Sequence, residues 1–195
     1  MEEIRTFVAI ELSAAIRSEL TRVQEMLKGK IATPHLRWVD PANVHLTLKF
    51  LGNVPADRIQ EITAALKEAC AGLSPFIIHV SGLGCFPNTN NPRVVWVGVQ
   101  EETGRLKGLQ ERIEGRLATL GFKPEGQPFR PHLTLGRVKK EAHVGARRIV
   151  GGIVSATSMG DLGQMEVGQI SLMKSKLLSS GAQYSRLETI PLERE

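Results

Sequence analysis

Two of the five histidines in this chain open the same four letters. His45 begins HLTLKFLG, and His132 begins HLTLGRVK. On a strand, successive side chains point to opposite faces, so His45 and Thr47 share one face while Leu46, Leu48 and Phe50 share the other. The same alternation sets His132 and Thr134 against Leu133 and Leu135. A lone His-x-Thr means little. The identical tetrapeptide in two strands of matching polarity predicts two imidazole–hydroxyl faces around one cleft. Two such histidines suit acid–base chemistry near neutral pH, one starting neutral and taking a proton, the other starting charged and giving one. Threonine hydroxyls beside them suit a phosphate centre, whose nonbridging oxygens accept hydrogen bonds. In-line displacement at phosphorus needs a base on the attacking side and an acid on the leaving side. The pattern asks for one of each and leaves open which is which.

Metal binding is the main chemical competitor. No carboxylate or cysteine accompanies either histidine at metal-ligand spacing, and threonine is a poor zinc ligand, so neither a metal nor another cofactor is expected. Cys70 and Cys85 are expected as buried small hydrophobes rather than a disulfide.

The strands that carry the histidines need a scaffold. RTFVAIEL (Arg5 to Leu12) reads as a strand, and Ser13 as the N-cap of a helix with Ile16, Leu20, Val23 and Leu27 on one face. A second helix follows Pro55 with Ile59, Ile62, Leu66 and Ala69. FIIHVSGLGCF and RVVWVGV read as strands separated by the turn-rich PNTNNP. A third helix from about Thr103 carries Leu106, Leu109, Ile113, Leu117 and Leu120, and stops at Gly121. A short helix is expected near Ala142 to Val150, in a segment whose helical pattern Gly151 and Gly152 weaken. MEVGQISLMKSKL and YSRLETIPL read as two closing strands joined by a turn at Gly181. Helices set apart from adjacent strands favour an α+β fold with largely antiparallel sheets in two pseudo-equivalent lobes. With no low-complexity linker, residues 1–195 are expected to form one compact unit.

Composition narrows the partners. A 195-residue chain can bury a full core, and its 42% hydrophobic and 23% charged residues are those of an ordinary globular protein. No apolar run is long enough to cross a bilayer, and MEEIRTFVAIEL opens with acidic residues rather than as a signal peptide, so a cytoplasmic protein without a membrane partner is expected. The formal net charge of +5 tilts the expectation toward an anionic partner.

The paired motif, in WVDPANVHLTLKFLGNV and PFRPHLTLGRV, resembles the 2H phosphoesterase superfamily, and within it the RNA 2′,3′-cyclic phosphodiesterases formerly called 2′-5′ RNA ligases. RTFVAIEL, PRVVWVGV and ISLMKSKLLSSGAQYSRLETIPL are also similar to that family, so the resemblance covers most of the chain. It implies a bilobal fold in which two antiparallel sheets form a central cleft, with helices outside and one His-x-Thr motif from each lobe. It implies opening of an RNA 2′,3′-cyclic phosphate to a 2′-phosphate, with His45 as proton donor, His132 as proton acceptor, and Thr47 and Thr134 on phosphate oxygens. Joining to a 5′-hydroxyl as a 2′-5′ bond is a further family activity. The expected partner is RNA with 2′,3′-cyclic phosphate ends, tRNA fragments among the candidates, acted on by a monomer.

The resemblance also places a phosphate-binding arginine at Arg137. Simple alternation points Arg137 away from His132, and a bulge at Gly136 would re-aim it. Lys49, on the His45 face by alternation, and Arg130, before Pro131, are further candidates for RNA contact. Phe7 and Phe50 are candidates for stacking on a base, although alternation assigns Phe50 to the core. Trp38 and Trp96 are expected in the core or cleft wall, and His35, His79 and His143 in structural or surface roles. Lys139 with Lys140 and Arg147 with Arg148 are expected as solvated charge that would steer RNA if it bordered the cleft. Two alternatives stay open: a noncatalytic module that binds phosphate-ended RNA, and a cyclic phosphodiesterase acting on small nucleotides.

Overall fold

The structure is a computed structural model that describes residues 2–178 and 181–193. The strand β1 (Glu3–Glu11) leads into helix α1 (Ala14–Lys30), whose first turn is capped by the Ser13 hydroxyl accepting from the Ile16 N–H at 3.3 Å. Ile16, Leu20, Val23 and Leu27 are buried, as their helical spacing requires. The short strand β2 (Leu36–Trp38), which sequence periodicity did not reveal, precedes β3 (His45–Pro55). Helix α2 (Ile59–Cys70) buries Ile62, Leu66 and Ala69. Strands β4 (Phe76–Phe86) and β5 (Val94–Gln100) pair directly. Helix α3 (Arg105–Thr119) ends where Gly121 takes a φ of 86°, which lets the Gly121 and Phe122 N–H groups bond back to Ala118 and Leu117.

Strand β6 (His132–Val138) is followed by helix α4 (Val144–Ala156), which runs straight through the glycine pair instead of stopping near Val150. The reason is packing: a Cβ on Gly151 would lie 1.7 Å from the Thr89 carbonyl oxygen, so this glycine admits a loop against the helix rather than ending it. The segment read as one strand from Met165 is two. β7 (Asp161–Val167) and β8 (Gln169–Leu178) separate at Gly168, and β9 (Gly181–Pro191) returns along β8. The turn expected at Gly181 borders residues 179 and 180, which lie outside the described residues.

Among the described residues the strands form one nine-stranded sheet in the order β7-β4-β5-β6-β3-β1-β8-β9, with β2 added beside β6. All its pairings are antiparallel. Among the described residues the halves β3-β1-β8-β9 and β6-β5-β4-β7 meet through a single ladder pair, Leu46 with Leu133. Both leucines are buried, as are Leu48 and Leu135, so the leucine face of each HLTL is core and the histidine face is left to the opposite side. The fold is α+β, with two antiparallel halves curling around a central cleft.

Cys70 and Cys85 are free and buried, and burial pushes each thiol up to about 11, which keeps both protonated and inert. Among the described residues no helix is long and apolar enough to cross a membrane.

Candidate active site

The two motifs carry the same irregularity. In the β1–β3 ladder Ala9 faces Thr47 and Val8 faces Lys49, so Leu48 is skipped. In the β5–β6 ladder Trp96 faces Thr134 and Val95 faces Gly136, so Leu135 is skipped. Each skip is a β-bulge, and past it the alternation inverts. The fourth residue after each histidine, Lys49 or Gly136, turns into the core, and the fifth, Phe50 or Arg137, turns to the cleft side.

A bulge leaves a carbonyl without its ladder partner, and burial makes that costly unless another donor arrives. For Leu135 the donors are Gln24 Nε2 at 2.8 Å and the Val39 N–H at 2.9 Å, with Gln24 also reaching the Val39 carbonyl at 2.7 Å. For Leu48 the Nε2 of Gln110, on α3, lies 3.5 Å from the carbonyl. A buried glutamine from a helix thus attends each bulge. Gly136 is held tight by its surroundings: a Cβ there would meet the Leu36 side chain at 3.2 Å and the Arg37 carbonyl at 3.3 Å.

These bulges revise two expectations. Lys49 does not share the His45 face. It is 2% exposed, its Nζ donating to Glu114 at 2.7 Å and to the Lys123 carbonyl at 3.0 Å, so it pins α3 to the sheet rather than meeting RNA. Phe50 is not core but 55% exposed, 6.0 Å from the Phe7 ring. Phe7, conversely, is buried and stacks on His45 at 4.6 Å, so it supports the imidazole and has no face free for a base. For Arg137 the bulge supplies the re-aiming that simple alternation denied, and its positive charge depresses the proton affinity of both His45 and His132.

His45 and His132 are built alike. His45 Nδ1 lies 2.8 Å from the Asn43 carbonyl, and His132 Nδ1 lies 2.7 Å from the Arg130 carbonyl, each two residues back. A carbonyl can only accept, so Nδ1 carries the hydrogen and Nε2 is the nitrogen left to exchange protons. Each ring also has aromatic backing: Phe7 and Tyr184 at His45, and Phe86, edge-on at 4.8 Å, at His132. Burial is the main cause that lowers both pKa values below the ordinary histidine range. Thr47 and Thr134 are half-buried on the histidine side of their strands. Continuing the Leu46–Leu133 register by one residue each way sets His45 across from Thr134 and Thr47 across from His132.

The Arg130 side chain is exposed, and its carbonyl anchors His132. Trp96 is partly buried against Phe86, and Trp38 packs on the core. His143 caps α4 by accepting from the Ala146 N–H, with His35 against it edge-on. Arg147 is not a solvated charge, because its guanidinium donates to the carbonyls of Pro92, Lys139, Lys140 and Ala142. Lys139, Lys140 and Arg148 are exposed.

Several neighbours of the site escaped the sequence reading. Arg37 is the exposed register partner of Arg137, visible only once β2 is seen to pair with β6. Tyr184 meets both Phe7 and His45 at 5.1 Å. Glu11 pairs across the ladder with His45, and its Oε1 accepts from Ser171 at 2.6 Å and from Arg186 at 2.8 Å. The alternation Phe7, Ala9, Glu11 was the one available signal for Glu11. Among the described residues no group of three or more His, Cys, Asp or Glu gathers to hold a metal.

Comparison with known proteins agrees with this two-fold construction. The sequence model of the LigT-like phosphoesterases matches twice, over residues 10–96 and 97–184, one HLTL motif in each. An RNA 2′,3′-cyclic phosphodiesterase of Methanothermobacter thermautotrophicus is 33% identical over 97% of this chain and 100% of its own. One from Archaeoglobus fulgidus is 37% identical over 94% and 98%. Among solved structures, a protein of Thermus thermophilus superposes with a TM-score of 0.79 at 26% identity, over 97% of this chain and 98% of its own. Escherichia coli LigT, complexed with 3′-AMP, superposes with a TM-score of 0.77 at 24% identity, over 99% and 100%. With both halves matched and near-full-length relatives above 30% identity, the chain belongs to the LigT-like phosphoesterase family.

Proposed function

We propose that the protein is an RNA 2′,3′-cyclic phosphodiesterase that opens the terminal cyclic phosphate to a 2′-phosphomonoester, without a metal, by two-histidine acid–base catalysis. The carrying observation is the matched pair of imidazoles, each fixed through Nδ1 on a backbone carbonyl and each on the threonine side of its strand. The names of the relatives supply the substrate class.

In this reading Nε2 of His132 takes a proton from water as the water oxygen bonds to phosphorus. The bond from phosphorus to the 3′ oxygen breaks on the opposite side, and Nε2 of His45 gives its proton to that oxygen. The proton gained by His132 and the one lost by His45 re-equilibrate with solvent. Thr47 and Thr134 donate to the nonbridging oxygens, and Arg137 balances their charge as it grows in the transition state. A 5′-hydroxyl entering in place of water gives 2′-5′ ligation by the same steps. Phe50 offers an aromatic face to the terminal base, and Arg37, Arg130 and exposed lysines offer cations to the phosphates further along the RNA, tRNA fragments included. One chain supplies every group, so a monomer suffices, and the cytoplasm supplies the substrate.

The test incubates the protein, with EDTA, with an oligoribonucleotide ending in a 2′,3′-cyclic phosphate and asks which hydroxyl keeps the phosphate. A 2′-phosphate, and loss of about 10²-fold or more in turnover for His45→Ala and for His132→Ala, is expected. A 3′-phosphate would reverse the leaving oxygen, and full activity in either variant would end the two-histidine mechanism. Tight binding without any product would instead leave the noncatalytic module. Turnover restricted to mononucleotides would leave the small-nucleotide enzyme.

A further inference from the structure

The two histidines are alike in their carbonyl anchors and their exposure to Arg137, with His45 the more buried, yet the reaction needs them to differ. Among the described residues one charged neighbour is not duplicated. On β1 the side chains of Phe7, Ala9 and Glu11 follow one another along the cleft side: Phe7 stacks on His45, and Ala9 packs with Phe7, Met173 and Tyr184. Glu11, the next in that row, is the direct register partner of His45.

Its carboxylate is fully held. Oε1 accepts from the Ser171 hydroxyl at 2.6 Å and from Arg186 Nε at 2.8 Å, and Oε2 accepts from Arg186 Nη2 at 2.9 Å. A carboxylate clamped by a guanidinium fork and a hydroxyl cannot swing away, and the hydrogen bond from Arg186 is the main reason its pKa lies below the ordinary range. Glu11 is therefore a fixed negative charge at any pH where histidine titrates.

The charged and titratable groups around His45 are Glu11 from β1, Arg137 from β6, and Tyr184 and Arg186 from β9, the last reaching it across Glu11. Burial and Arg137 disfavour a proton on either histidine, and among the described residues a carboxylate opposes them at His45 alone, without reversing the downward direction. His132 is met by Phe86, Arg137 and the Arg130 carbonyl.

We propose that Glu11, clamped by Arg186 and Ser171, is the positioning residue that favours the protonated state of His45 and so biases which copy of the motif serves as the acid. This rests on the cyclic phosphodiesterase reading above and supplies the physical reason for its assignment of roles. The HLTL copies are equivalent as sequence; the neighbouring strand makes them unequal.

The test follows the ring protons of His45 and His132 by NMR through a pH titration of the full-length protein and two variants that break the same ion pair from opposite ends. Glu11→Gln removes the negative charge and leaves Arg186, so the His45 midpoint should fall by roughly half a unit to one unit. Arg186→Gln removes the positive charge and leaves the carboxylate, so the midpoint should rise. His132 should stay within about 0.2 unit in both. Glu11→Asp, which keeps the charge, should return His45 toward the wild-type value. A purely structural ion pair would move His45 in the same direction in both variants, and that result, equal movement of His132, or no movement would overturn the proposal. The alkaline limb of kcat/KM on a cyclic-phosphate oligonucleotide should shift with His45 in Glu11→Gln while the acid limb stays. Absence of wild-type turnover would sink the phosphodiesterase reading and leave the titrations to judge Glu11 alone.

Discussion

Phe50 offers a quantitative check on the proposal that the cleft holds the terminal nucleotide of an RNA. It is 55% exposed, so of the roughly 200 Å² that a phenylalanine can bury, about 110 Å² is still open to a ligand. At about 25 cal/mol per Å², covering that face is worth at most about 2.7 kcal/mol, within the range of about 1–3 kcal/mol for stacking one base on an aromatic ring. Taking about 2 kcal/mol, Phe50→Ala should lower kcat/KM about 30-fold on an oligoribonucleotide ending in a 2′,3′-cyclic phosphate. The contact lies away from the reacting bonds and is the same in ground and transition states, so the loss should sit in KM with kcat nearly unchanged. The decisive control is the same pair of proteins on a ribose 2′,3′-cyclic phosphate lacking its base, where the variant should equal the wild type. An equal loss on both substrates, or a fall in kcat alone, would refute base stacking and mean that Phe50 acts by holding Phe7 and His45 in place.

Two further outcomes follow from the same geometry. Lys49→Ala strands a mostly buried Glu114, and urea denaturation should show a loss of about 3–5 kcal/mol, whereas Lys49→Met paired with Glu114→Leu should recover much of it; reduced RNA binding by the stable double variant would show that Lys49 meets substrate after all. Because burial lowers the pKa of His45 and His132, the unfolded chain binds protons that the folded chain refuses between the folded values and about 6.5. Stability should therefore drop as pH falls through that interval and rise on return. His45→Asn with His132→Asn should flatten the slope, and an unchanged slope in thermal melts would place the missing protons elsewhere.

Local periodicity carried much of the fold. The strand-like β1, the Ser13 cap, the buried stripes of α1, α2 and α3, and the leucine faces of both motifs depend on residues a few places apart, so the sequence expresses them directly. What it hid were features set by a distant partner. β2 is too short to show a period and exists because β6 offers it an edge. α4 continues through Gly151 because a loop residue, Thr89, needs the space. Gly168 divides what reads as one run of strand because β7 pairs with β4 while β8 pairs with β1 and β9.

The site divides along the same line. From the sequence alone came His45, Thr47, His132 and Thr134 on matching strand faces, because alternation is local and the tetrapeptide is repeated. Which residue stands beside them was decided only in three dimensions. A bulge is a property of a pair of strands and of whatever satisfies its freed carbonyl, and at Leu135 that donor is Gln24, 111 residues away. The first bulge buries Lys49 and turns Phe50 outward; the second brings Arg137 to the histidines. Cross-strand register likewise puts Glu11 against His45 and, among the described residues, leaves His132 without such a neighbour, so two copies that are chemically identical as sequence become different groups once the sheet has formed.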